Sequence, residues 1–201
     1  MKNLKCMNCS ATALRRFIDL GDQPNGNHFL SASEINSELR FSFAVAVCTD
    51  CWQVQIEEFP PVELMFSNHP YITGVNMPVI DHFHKPVDHT IFRWDSKEYL
   101  LVLDIGANDG TLLRRFEERG MRVLGIDPGK RTGALCRANG ISVCETFWDL
   151  ESAKGVKHLN LKPDLITATG CVFIFPRCMT SSPGCGKSWV PKQSFSPNAY
   201  T

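Results

Sequence analysis

The sequence predicts an α/β chain in two parts, a small cysteine-bearing β module followed by a domain with a parallel sheet. Three observations predict it. Residues 100–103 form an unbroken apolar run that ends in Asp104, a loop holding Gly106 and Gly110, and an apolar-patterned stretch from Thr111 to Phe116. A strand covered on both faces by helices has this continuous apolar character. The strand–helix alternation then repeats downstream, which is the pattern of a parallel sheet. Ahead of it stand two C-x-x-C pairs, Cys6 with Cys9 and Cys48 with Cys51.

Bulk composition bounds the function. The chain has 201 residues, 43% of them hydrophobic, enough for one ordinary domain and a small module. Lys+Arg and Asp+Glu each number 21. A neutral chain lacks the electrostatic footprint of a nucleic-acid binder. The N-terminus leads straight into a polar cysteine motif, and no apolar run is long enough to span a bilayer, so a soluble, cytoplasmic protein without a membrane partner is expected. Nine cysteines in such a setting suggest metal ligands or free thiols before disulfides.

The first module is expected over residues 1–60. Four thiolates from two C-x-x-C turns close a tetrahedral zinc site, so Cys6, Cys9, Cys48 and Cys51 are the predicted ligands of a structural Zn2+. Phe41, Phe43, Val45 and Val47 alternate with smaller or polar residues, which predicts a strand entering the second pair. Val54 and Ile56 predict the strand leaving it. Between the pairs, 19–24 is expected to be a turn, and 34–39 a short helix capped by Ser33. A redox role for either pair is disfavoured, because no βαβ pattern surrounds it.

Residues 61–95 are expected to be irregular and to border the substrate. The stretch holds Pro61, Pro70, Pro78 and Pro86, which argue against long regular elements before Pro86. It also holds His69, Tyr71, His82, His84 and His89. Metal binding by His82 and His84 is disfavoured, since no carboxylate or cysteine partner has diagnostic spacing. A loop with Tyr and His beside a cofactor cleft supplies acid–base groups.

The second domain is expected over 96–169. A helix over 111–119 stops at Gly120. Strand 122–126 ends at Asp127, and Pro128 turns the chain into a helix over 130–139, closed by Gly140. Strand 141–146, a helix over 149–159 and strand 164–169 complete the set. This is a Rossmann-like arrangement. Its loop, D-x-G-x-x-x-G, departs from the G-x-G-x-x-G of dinucleotide sites. A carboxylate at Asp104 repels a diphosphate and suits the cationic methionine portion of S-adenosylmethionine (SAM). Asp127, at the next strand end, suits a ribose diol. Asp104, Gly106, Asn108, Gly110, Asp127 and Pro128 are therefore the predicted cofactor residues.

With both parts read, the chain resembles the SAM-dependent sugar C-methyltransferases, in which a zinc-binding module precedes a Rossmann-like methyltransferase domain. The resemblance runs from residue 6 to about 169. It is carried by C-M-N-C, D-L-G-D-Q-P-N-G-N, V-C-T-D-C-W-Q-V-Q, F-S-N-H-P-Y-I-T-G-V, L-D-I-G-A-N-D-G-T-L-L, V-L-G-I-D-P and D-L-I-T-A-T. It implies methyl transfer from SAM to a carbon of a nucleotide-linked deoxyketosugar. It also implies that Tyr71 and His82 border the sugar and handle substrate or protons.

Residues 170–201 depart from the family, which continues there with further strands and a large C-terminal domain. This tail has no periodicity. Gly186-Lys187-Ser188 is not a P-loop, because Ser181 stands where the first glycine is required and no strand precedes it. Codon degeneracy allows residues 176–190 to be read in another frame as P-E-M-Y-D-F-L-A-G-L-W-E-I-L-G, an amphipathic helix, so an out-of-frame tail and impaired turnover are expected. The competing reading is a non-catalytic zinc-binding interaction protein that keeps a vestigial SAM-binding fold. Affinity for SAM separates the two.

Overall fold

The computed structural model describes residues 4–26, 28–92 and 100–169. The tail over 170–201, with its expected change of frame, lies outside the described residues.

The N-terminal module is a three-stranded antiparallel sheet in the order β1-β2-β3, with β1 at Leu14–Pro24, β2 at Arg40–Cys48 and β3 at Val54–Ile56. Its closed face is made by Ala44, Ala46 and Cys48, which alternate along β2 and are all buried. The bulkier Phe43 points the other way and is exposed. Small side chains on the inner face let the cysteine loops sit close to the strand. The expected turn over 19–24 is instead part of β1. Its register against β2 slips between Asp19 and Asp22, Gly21 takes a φ of +67°, and the Asp19 carboxylate accepts the Gly21 N–H at 3.0 Å. The turn chemistry was real, but it builds a bulge inside a paired strand rather than a chain reversal. The expected helix over 34–39 shrinks to a 3-10 turn, Ile35–Ser37. Ser31, not Ser33, holds its start, through N–H and O–H bonds to the Glu34 carboxylate.

The segment expected to be irregular holds two helices, α1 at Val62–Phe66 and α2 at Met77–Phe92, with a 3-10 turn at Thr73–Val75 between them. Prolines were the reason to expect otherwise, and their positions explain the outcome. Pro78 is the second residue of α2, where an N–H has no intrahelical acceptor to lose. Pro86 lies inside the helix and removes one ladder bond. Packing compensates. Val87 and Ile91 are buried in a cluster with Val102, Leu113 and Phe116, and Phe83 packs against it. Arg119 also forms an ion pair with Asp88.

The second sheet is parallel, in the order β6-β5-β4-β7. Its strands are β4 at Leu101–Ile105, β5 at Arg122–Ile126, β6 at Val143–Cys144 and β7 at Leu165–Thr167. The helices between them are α3 at Thr111–Glu117, α4 at Lys130–Ala138 and α5 at Leu150–His158. Every residue of β4 is buried. Val102 faces the cluster that holds α2 and α3, and Leu103 faces Ile126 and Val156 of α5, so each side of the sheet has its own core. The third strand is shorter than expected at both ends, and Ile141 just before it is buried in the first core. Among the described residues, no helix is long and apolar enough to cross a membrane.

Candidate functional site

The four predicted zinc ligands come together. Their Sγ atoms all lie within 4.8 Å of one another, with Cys6–Cys51 at 3.5 Å and Cys9–Cys48 at 3.7 Å. A tetrahedron with Zn–S bonds of about 2.3 Å has edges of about 3.8 Å, so the donor set fits zinc in size and type. Two knuckles of matching geometry hold it. Ser10 N–H donates to the Cys6 carbonyl at 2.8 Å, and Trp52 N–H to the Cys48 carbonyl at 2.9 Å. Both residues take the left-handed backbone, with φ of 62° and 63°. The Gln55 side chain ties the first knuckle to β3, accepting Met7 N–H at 2.9 Å and donating to the Lys5 carbonyl at 3.3 Å.

The thiols themselves favour a cation. Burial works to raise the Cys6 pKa, but backbone donors at Cys9 and Asn8 and the neighbouring thiols bring it down to about 7. At Cys9 the Ala11 backbone lowers the pKa, yet the adjacent sulfurs of Cys51, Cys6 and Cys48 together drive it up to about 12. One sulfur ionises at the expense of the others unless a divalent ion neutralises them. With four thiolates and no open position, the centre suits a structural role.

The second site is a cavity of about 390 Å³ at the C-terminal ends of β4 and β5. Asp104, Gly106, Asn108, Asp127 and Pro128 line it, as does Tyr71. Gly110 does not. Its φ of +81° starts α3, and a Cβ there would lie 2.9 Å from Cys136 Sγ and 3.2 Å from Ile141, so it serves close packing against α4. His82 is exposed on α2, its ring beside Phe83, and is not among the lining residues. His69 lines the cavity instead, stacked on Phe66 and edge-on to Tyr71, with Nδ1 accepting the Tyr71 N–H at 3.2 Å.

Asp127 is a hub. It accepts Asn108 N–H at 2.9 Å on Oδ2, and Gly129 N–H at 2.9 Å and the Thr132 hydroxyl at 2.7 Å on Oδ1. Oδ2 keeps acceptor capacity toward the cavity. Asn108 spends its side chain on the neighbouring segment, accepting Thr73 N–H at 2.9 Å and donating to the Tyr71 carbonyl at 3.1 Å. Asp109, which sequence reasoning passed over, caps α3 by accepting both the N–H and the hydroxyl of Thr111, at 3.3 and 2.7 Å. In a dinucleotide site that helix end faces the pyrophosphate. Here the chain's own carboxylate takes the first of its free N–H groups. The D-G-T sequence, an Asp two residues before a helical Thr, is the signal that could have revealed this.

Asp104 is 1% exposed and accepts the Thr167 hydroxyl at 2.6 Å from the paired strand β7. Burial pushes its pKa up to about 7, against the Thr167 bond that lowers it, with the charge of Asp127 adding to the rise. The folded-state value lies above the unfolded one, so this group contributes stability that is full below about pH 4 and is lost as pH rises through about 7. Asp104→Asn is therefore expected to be more stable than the parent chain at pH 8, by on the order of a few kcal/mol, with the gap closing near pH 4. Urea unfolding at several pH values measures this. Parallel curves for the two chains across the range would contradict the assignment.

Residues 6–66 match the family model described as "Putative zinc binding domain". The chain is 25% identical over 173 residues to the C-methyltransferase NovU of Streptomyces niveus, covering 86% of this chain but 41% of that protein. Two solved structures of magnesium protoporphyrin IX methyltransferase (ChlM) from Synechocystis PCC 6803 are also similar. The form with bound SAM is 15% identical, covers 35% of this chain and 36% of that one, and has a TM-score of 0.29. The form with bound SAH is 14% identical, covers 45% and 33%, and has a TM-score of 0.27. Residues 6–66 thus match a zinc-binding domain model and hold the four-cysteine cluster, and from Leu101 the chain continues as an α/β domain whose parallel sheet is built around the loop between Asp104 and Gly110.

Proposed function

We propose that the chain binds SAM in the cavity between Asp104 and Asp127 and serves methyl transfer to carbon, with a nucleotide-linked deoxyketosugar as acceptor. One observation carries the reading. Two carboxylates face the cavity from adjacent strand ends, while Asp109 takes the first free N–H of the nearby helix. That site repels a pyrophosphate and receives a ligand with a cationic end and a diol. NovU, a C-methyltransferase by name, is the relative that suggests carbon as the acceptor atom.

Bound SAM supplies an electrophilic methyl group on a sulfonium. The chain's residues do the rest. Asp127 accepts the ribose hydroxyls with the capacity left on Oδ2. Asp104 meets the ammonium, and that cation favours its ionised form, so affinity is expected to rise with pH through about 7. Tyr71 and His69 stand at the cavity wall, where a group that moves a proton alpha to a keto carbon is needed. In neutral His69 the Nδ1 atom accepts the Tyr71 N–H, which leaves the ring proton on Nε2. His82 takes no part in this scheme. The four-cysteine centre keeps the N-terminal sheet folded and does no chemistry.

Incubation with methyl-labelled SAM and 3-keto or 4-keto nucleotide sugars, with label followed into the sugar, tests the reading. Carbon-bound incorporation is the expected result. Label in an oxygen-linked or protein-linked product instead would contradict it.

A further inference from the structure

The segment between α1 and α2 is short on regular structure, yet two consecutive loop residues bind three of its residues. Asn108 accepts Thr73 N–H and donates to the Tyr71 carbonyl. Asp109 Oδ2 accepts Gly74 N–H at 2.8 Å. Asp109 is 4% exposed and Thr73 8%, so these bonds lie away from water. The Asp109 carbonyl is itself held by Asn139 Nδ2 at 3.1 Å.

Gly74 fits this contact by its size. A Cβ there would fall 2.4 Å from Asp109 Oδ2 and 3.0 Å from Thr111 Oγ1, and the residue is not in the left-handed region. Glycine is needed for close approach, not for its backbone freedom. What the contact orders is the wall of the cavity, because Tyr71 and Thr73 both line it. On the other side Asn108 donates its N–H to Asp127. The wall and the predicted ribose acceptor therefore share one residue.

We propose that Asp109 and Gly74 form a latch that positions the Tyr71-bearing wall against the cofactor loop. Asp109 is a positioning residue. It acts through the Gly74 N–H and touches neither cofactor nor acceptor. Occupancy of the cavity and order in residues 71–76 are then coupled through Asn108. The coupling rests on the SAM-binding reading, whereas the latch itself does not.

Two measurements on the full chain test it, amide hydrogen exchange and titration with S-adenosylhomocysteine (SAH). In Asp109→Ala and in Gly74→Ala, exchange over 71–76 is expected to rise roughly tenfold or more while β4 and β5 keep their protection. SAH affinity is expected to fall by roughly tenfold in both, and SAH is expected to slow exchange over 71–76 more in the parent chain than in either variant. Asp109→Asn, whose carbonyl can still accept the Gly74 N–H, is expected to recover most of both effects. Unchanged exchange over 71–76 in Gly74→Ala overturns the latch, even if Asp109→Ala fails to fold. Raised exchange with unchanged SAH affinity overturns the positioning role. A parent chain that does not bind SAH refutes the cofactor reading and the coupling, and the exchange result alone then decides the latch.

Discussion

Cys48→Ser, or a chelator at neutral pH, is expected to unfold the N-terminal sheet and abolish retention of one zinc ion per chain. The physical reason is the poverty of that module's core. Among the described residues its buried apolar side chains are Cys6, Ala44, Ala46 and Cys48, and β1 is exposed along nearly its whole length. Two alanines cannot offset the conformational entropy of three strands, at about 1–2 kcal/mol per ordered residue. Structural zinc contributes apparent binding energies of about 10–16 kcal/mol in small domains. Cys48 is fully buried and ends β2, so its loss removes a ligand and a strand anchor together. The α/β domain should persist, because neither of its cores includes a residue of the module. Metal analysis with circular dichroism checks the outcome. A metal-free Cys48→Ser chain that keeps its antiparallel sheet would contradict it.

Much of this was legible in the sequence wherever a physical marker bounded an element. Strand β5 has its expected bounds because Gly120 closes the preceding helix and Asp127-Pro128 ends the strand. The cysteine cluster was legible because C-x-x-C spacing allows little besides a knuckle. Helix α2 was not, because its prolines signal a break, although Pro78 at its second position costs no bond and Pro86 costs only one. Phe83, Val87 and Ile91 recur every four residues, and that period was the better guide. The Asp19–Gly21 contact reads the same in a bulge as in a turn, and only pairing with β2 distinguishes them. The latch joins residues about 35 positions apart in the chain, which no local pattern encodes.

Asp127→Ala carries the second large effect. The native carboxylate accepts two backbone N–H groups and the Thr132 hydroxyl in a largely buried setting. Removing it strands those donors, at about 1–3 kcal/mol each, and frees the loop that carries Gly106 and Asn108. It also removes the proposed ribose acceptor. The expected consequence is a loss of SAH affinity of roughly a hundredfold or more. Asp127→Asn should lose less, since its carbonyl can still take one of the N–H groups.

Calorimetric titration of SAH into the zinc-loaded chain, parent beside Asp127→Ala, therefore tests the central claim most directly. The claim predicts one site per parent chain and binding to the variant weaker by roughly a hundredfold or more. A parent chain without affinity for SAH, or a variant that binds as tightly as the parent, would contradict it.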